Sequence, residues 1–214
     1  MNLLAKKDID ELIARYPELE SCKADILRAA EIMVDCFKRK GKLLVCGNGG
    51  SAADCEHIVG ELMKSFRLKR ELSTERQETI RSLFPAEADV LINHLQEALP
   101  AISLVSQTAF MTAFANDVSA ELLFAQQVLG YGKPGDILMA LSTSGNSANV
   151  LYAARIAKVK KMMVIGLTNE NGGILTELSD VVVRVPKTLT YEVQELHLPI
   201  YHYLCAYVED SLFR

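Results

Sequence analysis

The chain predicts an open α/β fold, a parallel sheet of five strands flanked by helices. Three observations carry this expectation. Five short runs, KLLVC (42–46), AISLV (101–105), DILMALS (136–142), KMMVIGL (161–167) and DVVVRV (180–185), are apolar without alternation, as strands buried on both faces are. Helix-length segments separate most of them, which is what right-handed crossovers between parallel strands require. Two of the runs lead straight into glycine- or serine-rich turns that open helices, GNGGS (47–51) and STSGNS (142–147).

The remaining elements follow in order. DIDELIARY is a short amphipathic segment stopped by Pro17. From Glu18 onward, Ile26, Ala29, Ala30, Met33, Val34 and Phe37 recur at helical spacing until Gly41, so residues 1–41 predict N-terminal helices. Between Phe66 and Pro100 no strand-like run occurs, and a structureless loop of that length inside a compact domain is unusual. Residues 68–98 therefore read as a helical insertion, two pieces separated by Pro85. Its apolar positions, Ile80, Leu83, Phe84, Val90, Leu91, Leu95 and the neighbouring Leu99, need a surface to cover them, because so short a hairpin is marginal alone. That predicts packing on a neighbouring subunit or over a pocket mouth; a surface excursion is the alternative. From about Glu192 to Phe213 a long C-terminal helix is expected. Pro199 removes a hydrogen bond to the Glu195 carbonyl and predicts a kink or an early end.

Composition narrows the class. The 214 residues suit a single α/β domain, and half are apolar, enough for a sizeable core. A net charge of −4 with mixed signs argues against nucleic-acid binding. No apolar run approaches a membrane span, and MNLLAKKDIDEL lacks the hydrophobic core of a signal peptide. Five cysteines (Cys22, Cys36, Cys46, Cys55, Cys205) with no CxxC pair read as reduced, buried thiols of a cytoplasmic protein.

Gly47, Asn48, Gly49, Gly50 and Ser51 permit positive φ and bring backbone N–H groups toward an anion at a helix start. A plain tight turn accounts for them equally well. In STSGNS, the hydroxyls of Ser142, Thr143, Ser144 and Ser147 crowd one helix start where a single N-cap would suffice. The surplus favours an oxyanion such as a phosphoryl group over a merely capped turn. Both loops follow strands, where open α/β sheets bind ligands. His57 and Glu61, four apart on a helix, share a face and can ligate a metal or set an acid beside a base; an exposed helix pair is the plainer reading. Gln194 and His202 lie about 80° apart around their helix. His197 competes with His202 and reads as a packing or surface residue.

Together CGNGGSAADCEH, FAND, ALSTSGNSANV and VQELH with His202 resemble the sugar isomerase (SIS) family, most closely its phosphoheptose isomerase branch. STSGNSANV alone would indicate only a SIS domain; the combination is specific to the branch. The resemblance covers nearly the whole chain apart from 68–98, where roughly twenty-five residues stand beyond the family's usual connection. It implies that Asn48, Gly49, Gly50, Ser51, Ser142, Thr143, Ser144 and Ser147 surround a phosphosugar, with Glu61 and Gln194 also in contact, and that Asn116 and Asp117 of FAND meet its hydroxyls. It implies one zinc per subunit on His57, Glu61, Gln194 and His202, and a homotetramer with active sites at subunit junctions.

The activity the resemblance implies is aldose–ketose isomerisation of sedoheptulose 7-phosphate to D-glycero-D-manno-heptose 7-phosphate through an enediol, the first step of nucleotide-activated heptose biosynthesis. Glu61 is then the proton-abstracting base and His202 the partner acid. Two alternatives stand beside it: an isomerase of another phosphosugar, and a non-catalytic adaptor of the kind that associates with the bacterial replication initiator. Those adaptors resemble enzymes that have lost part of the acid–base set, whereas this chain keeps Glu61 and His202.

Overall fold

A computed structural model describes the backbone of residues 3–214 and the side chains from Ile9 onward. The signal-peptide argument rests partly on residues outside that range. All five expected strands form: β1 (Leu43–Cys46), β2 (Ala101–Ser103), β3 (Ile137–Leu141), β4 (Met163–Thr168) and β5 (Val181–Arg184). Every pairing is parallel and the order is β2-β1-β3-β4-β5. Successive residues on each strand enter opposite cores. Leu43, Val45, Ile137, Met139, Ile165 and Leu167 join one, and Leu44, Cys46, Leu138, Ala140 and Val164 the other. This is why the strands read as continuously apolar.

One face of the sheet is covered by α1 (Leu3–Arg15), α2 (Lys23–Lys38), α3 (Gly50–Met63) and α10 (Thr190–Phe213), the other chiefly by α7 (Leu123–Tyr131) and α8 (Ala148–Val159). A 3₁₀ turn at Pro17–Cys22 joins α1 to α2. The chain leaves α2 through Lys40 (φ 60), not through the glycine expected to end it. Gly41 N–H bonds the Cys36 carbonyl and Lys40 N–H the Phe37 carbonyl, the paired bonds of a Schellman end. Gly41 is needed for space, since a Cβ there would stand 2.6 Å from Cys36 Sγ. All five cysteines are free and buried.

Residues 68–98 hold two short helices on either side of Pro85, α4 (Thr74–Leu83) and α5 (Ala88–His94). They pack on each other, and Leu83, Phe84, Val90 and Leu95 stay exposed. The base is tied by Glu97, which accepts from Ser73 N–H at 3.0 Å and pairs with Arg76. The rest of the chain runs through α6 (Thr108–Phe114), a π turn at Ala115–Ser119 and the short α9 (Leu175–Leu178).

Pro199 does not end α10, which runs unbroken from Thr190 to Phe213, so the early end expected as one of two outcomes does not occur. Leu196, His197, Ile200 and Tyr201 on either side of it are buried, so packing holds the helix through the missing bond.

Candidate active site

The strand order changes direction between β1 and β3: the chain moves outward from β1 to β2, then returns to β3 on the other side. The loops after these two strands flank the crevice where open α/β sheets take ligands. They are GNGGS and STSGNS, and the structure joins them. Asn48 Nδ2 donates to Asn149 Oδ1 and Asn149 Nδ2 to Asn48 Oδ1, both at 2.9 Å. Asn149, in the first turn of α8, is a residue that motif reading had passed over.

Each loop is shaped by its glycines. Gly49 has φ 58 with open space about it, and a Cβ on Gly50 would stand 2.7 Å from the Gln194 amide. Gly50 thus lets α10 approach the start of α3. In the second loop Gly145 (φ 66) lies against the Gly172–Gly173 turn, where a Cβ would meet the Gly172 carbonyl oxygen at 1.9 Å. Leu175 N–H bonds the Gly145 carbonyl at 3.0 Å and Ile174 N–H the Asn146 side chain at 3.1 Å, so this turn braces the loop.

The hydroxyls divide. Ser142 and Ser51 are buried; Ser142 Oγ pairs with Ser147 Oγ at 3.0 Å and shapes the loop from within. Ser144 is exposed and accepts from Asn146 N–H at 3.2 Å, and Thr143 is half-buried. Ser144 is therefore the most exposed of the hydroxyls, with Thr143 and Ser147 half-buried beside it. Asn48 and Gly49 line a cleft of about 360 Å³ with Ala52, Glu56 and Met111. Asn116 and Asp117 stand on the exposed π turn, where Asn116 Nδ2 donates to Asp117 Oδ1 at 2.8 Å.

The candidate acid–base residues lie on two helices that run side by side in the same direction. Gln194 meets Gly50, His202 meets His57, and Glu209 meets the turn after α3. His57 Nε2 is 3.3 Å from Glu61 Oε1 and 3.5 Å from His202 Nε2. Glu61 Oε2 also takes Lys64 Nζ at 3.0 Å. On its other side His57 Nδ1 lies 3.0 Å from the Tyr201 hydroxyl, which bonds Asp54 Oδ1 at 3.2 Å. Burial, reinforced by the neighbouring His57, lowers the pKa of His202; Glu61 opposes both. The ring of Phe66 tilts over His202 at 5.7 Å, and both line a cavity of about 480 Å³ with Tyr16, Arg67 and Pro199.

A zinc ion asks for about four N, O or S donors at 2.0–2.3 Å. The donor chemistry fits, and the separations about His57 Nε2 are near the roughly 3.3 Å edge of such a tetrahedron. Among the described residues, however, no three His, Cys, Asp or Glu side chains converge on one ion-sized point. Gln194 rests at Gly50, seven residues ahead of His57 on α3.

A parallel sheet ordered 2-1-3-4-5, with a hydroxyl loop at its switch point and a histidine–carboxylate cluster on an adjacent helix pair, has the layout of a phosphosugar-binding α/β domain. The chain belongs to the SIS domain family, whose pattern matches residues 8–82 and 84–169. It is 38% identical over 197 residues to the phosphoheptose isomerase of Rhodospirillum rubrum, covering 92% of this chain and 91% of that one. Two solved structures resemble it throughout. One is the phosphoheptose isomerase of Neisseria gonorrhoeae, with TM-score 0.73, 33% identity and 94% of each chain covered. The other is that of Francisella tularensis, with TM-score 0.75, 31% identity, and 98% of this chain and 100% of that one covered.

Proposed function

We propose that this chain is an aldose–ketose isomerase that converts sedoheptulose 7-phosphate to D-glycero-D-manno-heptose 7-phosphate. The observation that carries the reading is the meeting of Glu61, His57 and His202 across α3 and α10, in a chain whose relatives are phosphoheptose isomerases. Glu61 is suited to take a proton from C1 of the ketose. As the carbonyl oxygen at C2 gains a proton, a 1,2-enediol forms. Return of a proton to C2, with loss of the O1 proton, gives the aldehyde. His202, whose pKa burial and the neighbouring His57 lower, moves protons at the oxygens or at the opposite carbon. Thr143, Ser144 and the N–H groups of both loops anchor the phosphate, and that remote binding fixes the reacting carbons.

Zinc is proposed at His57, Glu61, Gln194 and His202, one per subunit, where it would polarise the carbonyl and stabilise the enediolate. A homotetramer with sites at subunit junctions is proposed as well. Gly47, Asn48 and Gly49 of the first loop line one cavity and His202 another, and a second copy is what could close them into one site. Free, buried thiols support a cytoplasmic location. Among the described residues no helix is long and apolar enough to cross a membrane.

The test is incubation of the purified protein with sedoheptulose 7-phosphate and observation by NMR. Appearance of the isomeric aldose phosphate supports the proposal. An unchanged ketose, with another phosphosugar isomerised instead, would assign a different substrate.

A further inference from the structure

His57 turns Nε2 toward Glu61 and His202. Two groups compete for the ring proton: the Glu61 carboxylate, 3.3 Å from Nε2, and what stands behind the ring at Nδ1. Nδ1 lies 3.0 Å from the Tyr201 hydroxyl, and that hydroxyl lies 3.2 Å from Asp54 Oδ1 with the geometry of a donor. A phenol has one proton to give. Given to Asp54, it leaves the Tyr201 oxygen able only to accept, and this shorter contact at 3.0 Å favours the proton of neutral His57 on Nδ1 over the 3.3 Å approach of Glu61 to Nε2. Nε2 then keeps its lone pair.

The arrangement is well built. Tyr201 is 1% exposed and lies between the two helices, its ring edge-on to those of His57 and His202 at 5.4 and 5.0 Å. Asp54 sits three residues before His57 on the same face of α3, and Tyr201 immediately precedes His202 on α10. Burial, with Asp54 adding to it, pushes the Tyr201 pKa up. Burial also raises the Asp54 pKa, opposed by the Tyr201 hydrogen bond and His57. Asp54 Oδ2 is buried without a hydrogen-bond partner, which leaves Oδ1 as the oxygen the hydroxyl serves.

We propose that Tyr201, anchored by Asp54, is a positioning residue that locks His57 in the Nδ1–H tautomer and presents an unprotonated Nε2 to Glu61 and His202. The inference deepens the proposed function and rests on His57 belonging to that site. It predicts a state of the ring that exists without substrate or metal. An Nε2 lone pair at this point can accept a proton or bind a cation; an Nε2–H could do neither.

The experiment is long-range ¹H–¹⁵N NMR on metal-free protein labelled at its histidine nitrogens, at about pH 8, where an ordinary histidine is neutral. His57→Gln identifies the His57 signals among the four histidines. The expected result is an Nδ1–H pattern for His57 in the unaltered protein and a shift toward Nε2–H, or a mixture, in Tyr201→Phe, which keeps the ring but removes the acceptor. An Nε2–H pattern in the unaltered protein would overturn the proposal. That is the outcome if a protonated Asp54 donates to Tyr201 and Tyr201 donates to His57. An Nδ1–H pattern that Tyr201→Phe leaves unchanged would also overturn it. The measurement needs no turnover, so failure of the isomerase reading would show separately, as a locked His57 in a protein that does not convert the sugar.

Discussion

Arg70 Nε donates to Glu209 Oε1 at 2.7 Å, and both side chains are fully buried. Glu209 also accepts the backbone N–H groups of Phe66, Arg67 and Leu68, at 2.8, 2.6 and 3.0 Å. Arg70 caps the end of α3 through the Glu61 and Leu62 carbonyls, at 3.1 and 2.6 Å. One ion pair therefore ties the helix that bears Glu61 to the helix that bears His202. Burial alone would raise the Glu209 pKa; its four donors outweigh that and lower it. Buried pairs give little net stability over apolar packing but cost heavily when halved. Glu209→Gln should therefore destabilise the fold by about 3 kcal/mol. Replacing both partners, Arg70→Met with Glu209→Leu, should recover part of that loss. Denaturant unfolding checks both, and a Glu209→Gln protein as stable as the parent would refute the assignment.

The phosphate loop makes a sharper prediction than four hydroxyls at one helix start allowed. Ser142 is buried and Ser147 is bonded to it, whereas Thr143 and Ser144 carry no such bond to another hydroxyl and are the first to test against a ligand. Thr143→Ala with Ser144→Ala should raise KM by about tenfold or more, the worth of one hydrogen bond to a charged group, with kcat little changed. Steady-state kinetics on the folded double variant decides it, and an unchanged KM would move the phosphate elsewhere.

His197 is the buried histidine of α10, and it carries a pH prediction. Burial pushes its pKa down to about 4, opposed only by the Thr168 backbone, which makes no proper hydrogen bond with either ring nitrogen. The folded pKa lies below the unfolded one, so the unfolded chain binds the extra proton. Stability is thus intact above about pH 6.5 and falls as the pH drops toward 4, by up to about 3 kcal/mol from this group. Denaturant unfolding at pH 7 and 4 should show a smaller acid loss in His197→Met than in the parent. Equal losses would mean that His197 finds a partner when protonated.

Much of this was legible in the sequence for a physical reason. Strands buried on both faces have no polar side, so their five apolar runs stood out. The loops at 47–51 and 142–147 carried local signals, glycine for close approach and hydroxyls for capping. Helical spacing put His57 and Glu61 on one face, but only the family resemblance singled them out from an ordinary helix pair. Asp54, three residues before His57, had the same kind of signal and went unread. Tyr201 gave none, because an aromatic in an apolar helix looks like core. Arg70 and Glu209, 139 residues apart, meet only through the tertiary fold. The early end that Pro199 allowed does not occur, because helix propensity is local while its burial in α10 is not.

Chelation should separate chemistry from folding. The cores of this domain are apolar, and none of the four proposed zinc residues is among their members. Removing metal should therefore lower activity while leaving the melting temperature within a few degrees, with about one divalent ion per chain in the untreated protein. Full activity in protein shown by elemental analysis to be metal-free would take zinc out of the mechanism.

The central claim is that Glu61 moves a proton between neighbouring carbons of a phosphosugar. It is tested most directly by running the reaction in D₂O and following deuterium at C1 and C2 by NMR, for the parent and for folded Glu61→Gln. The account predicts that the parent forms the aldose and takes solvent deuterium onto carbon, and that both processes fall by about 10²–10⁴-fold in Glu61→Gln. Isomerisation and exchange at the parent's rate in Glu61→Gln would contradict it.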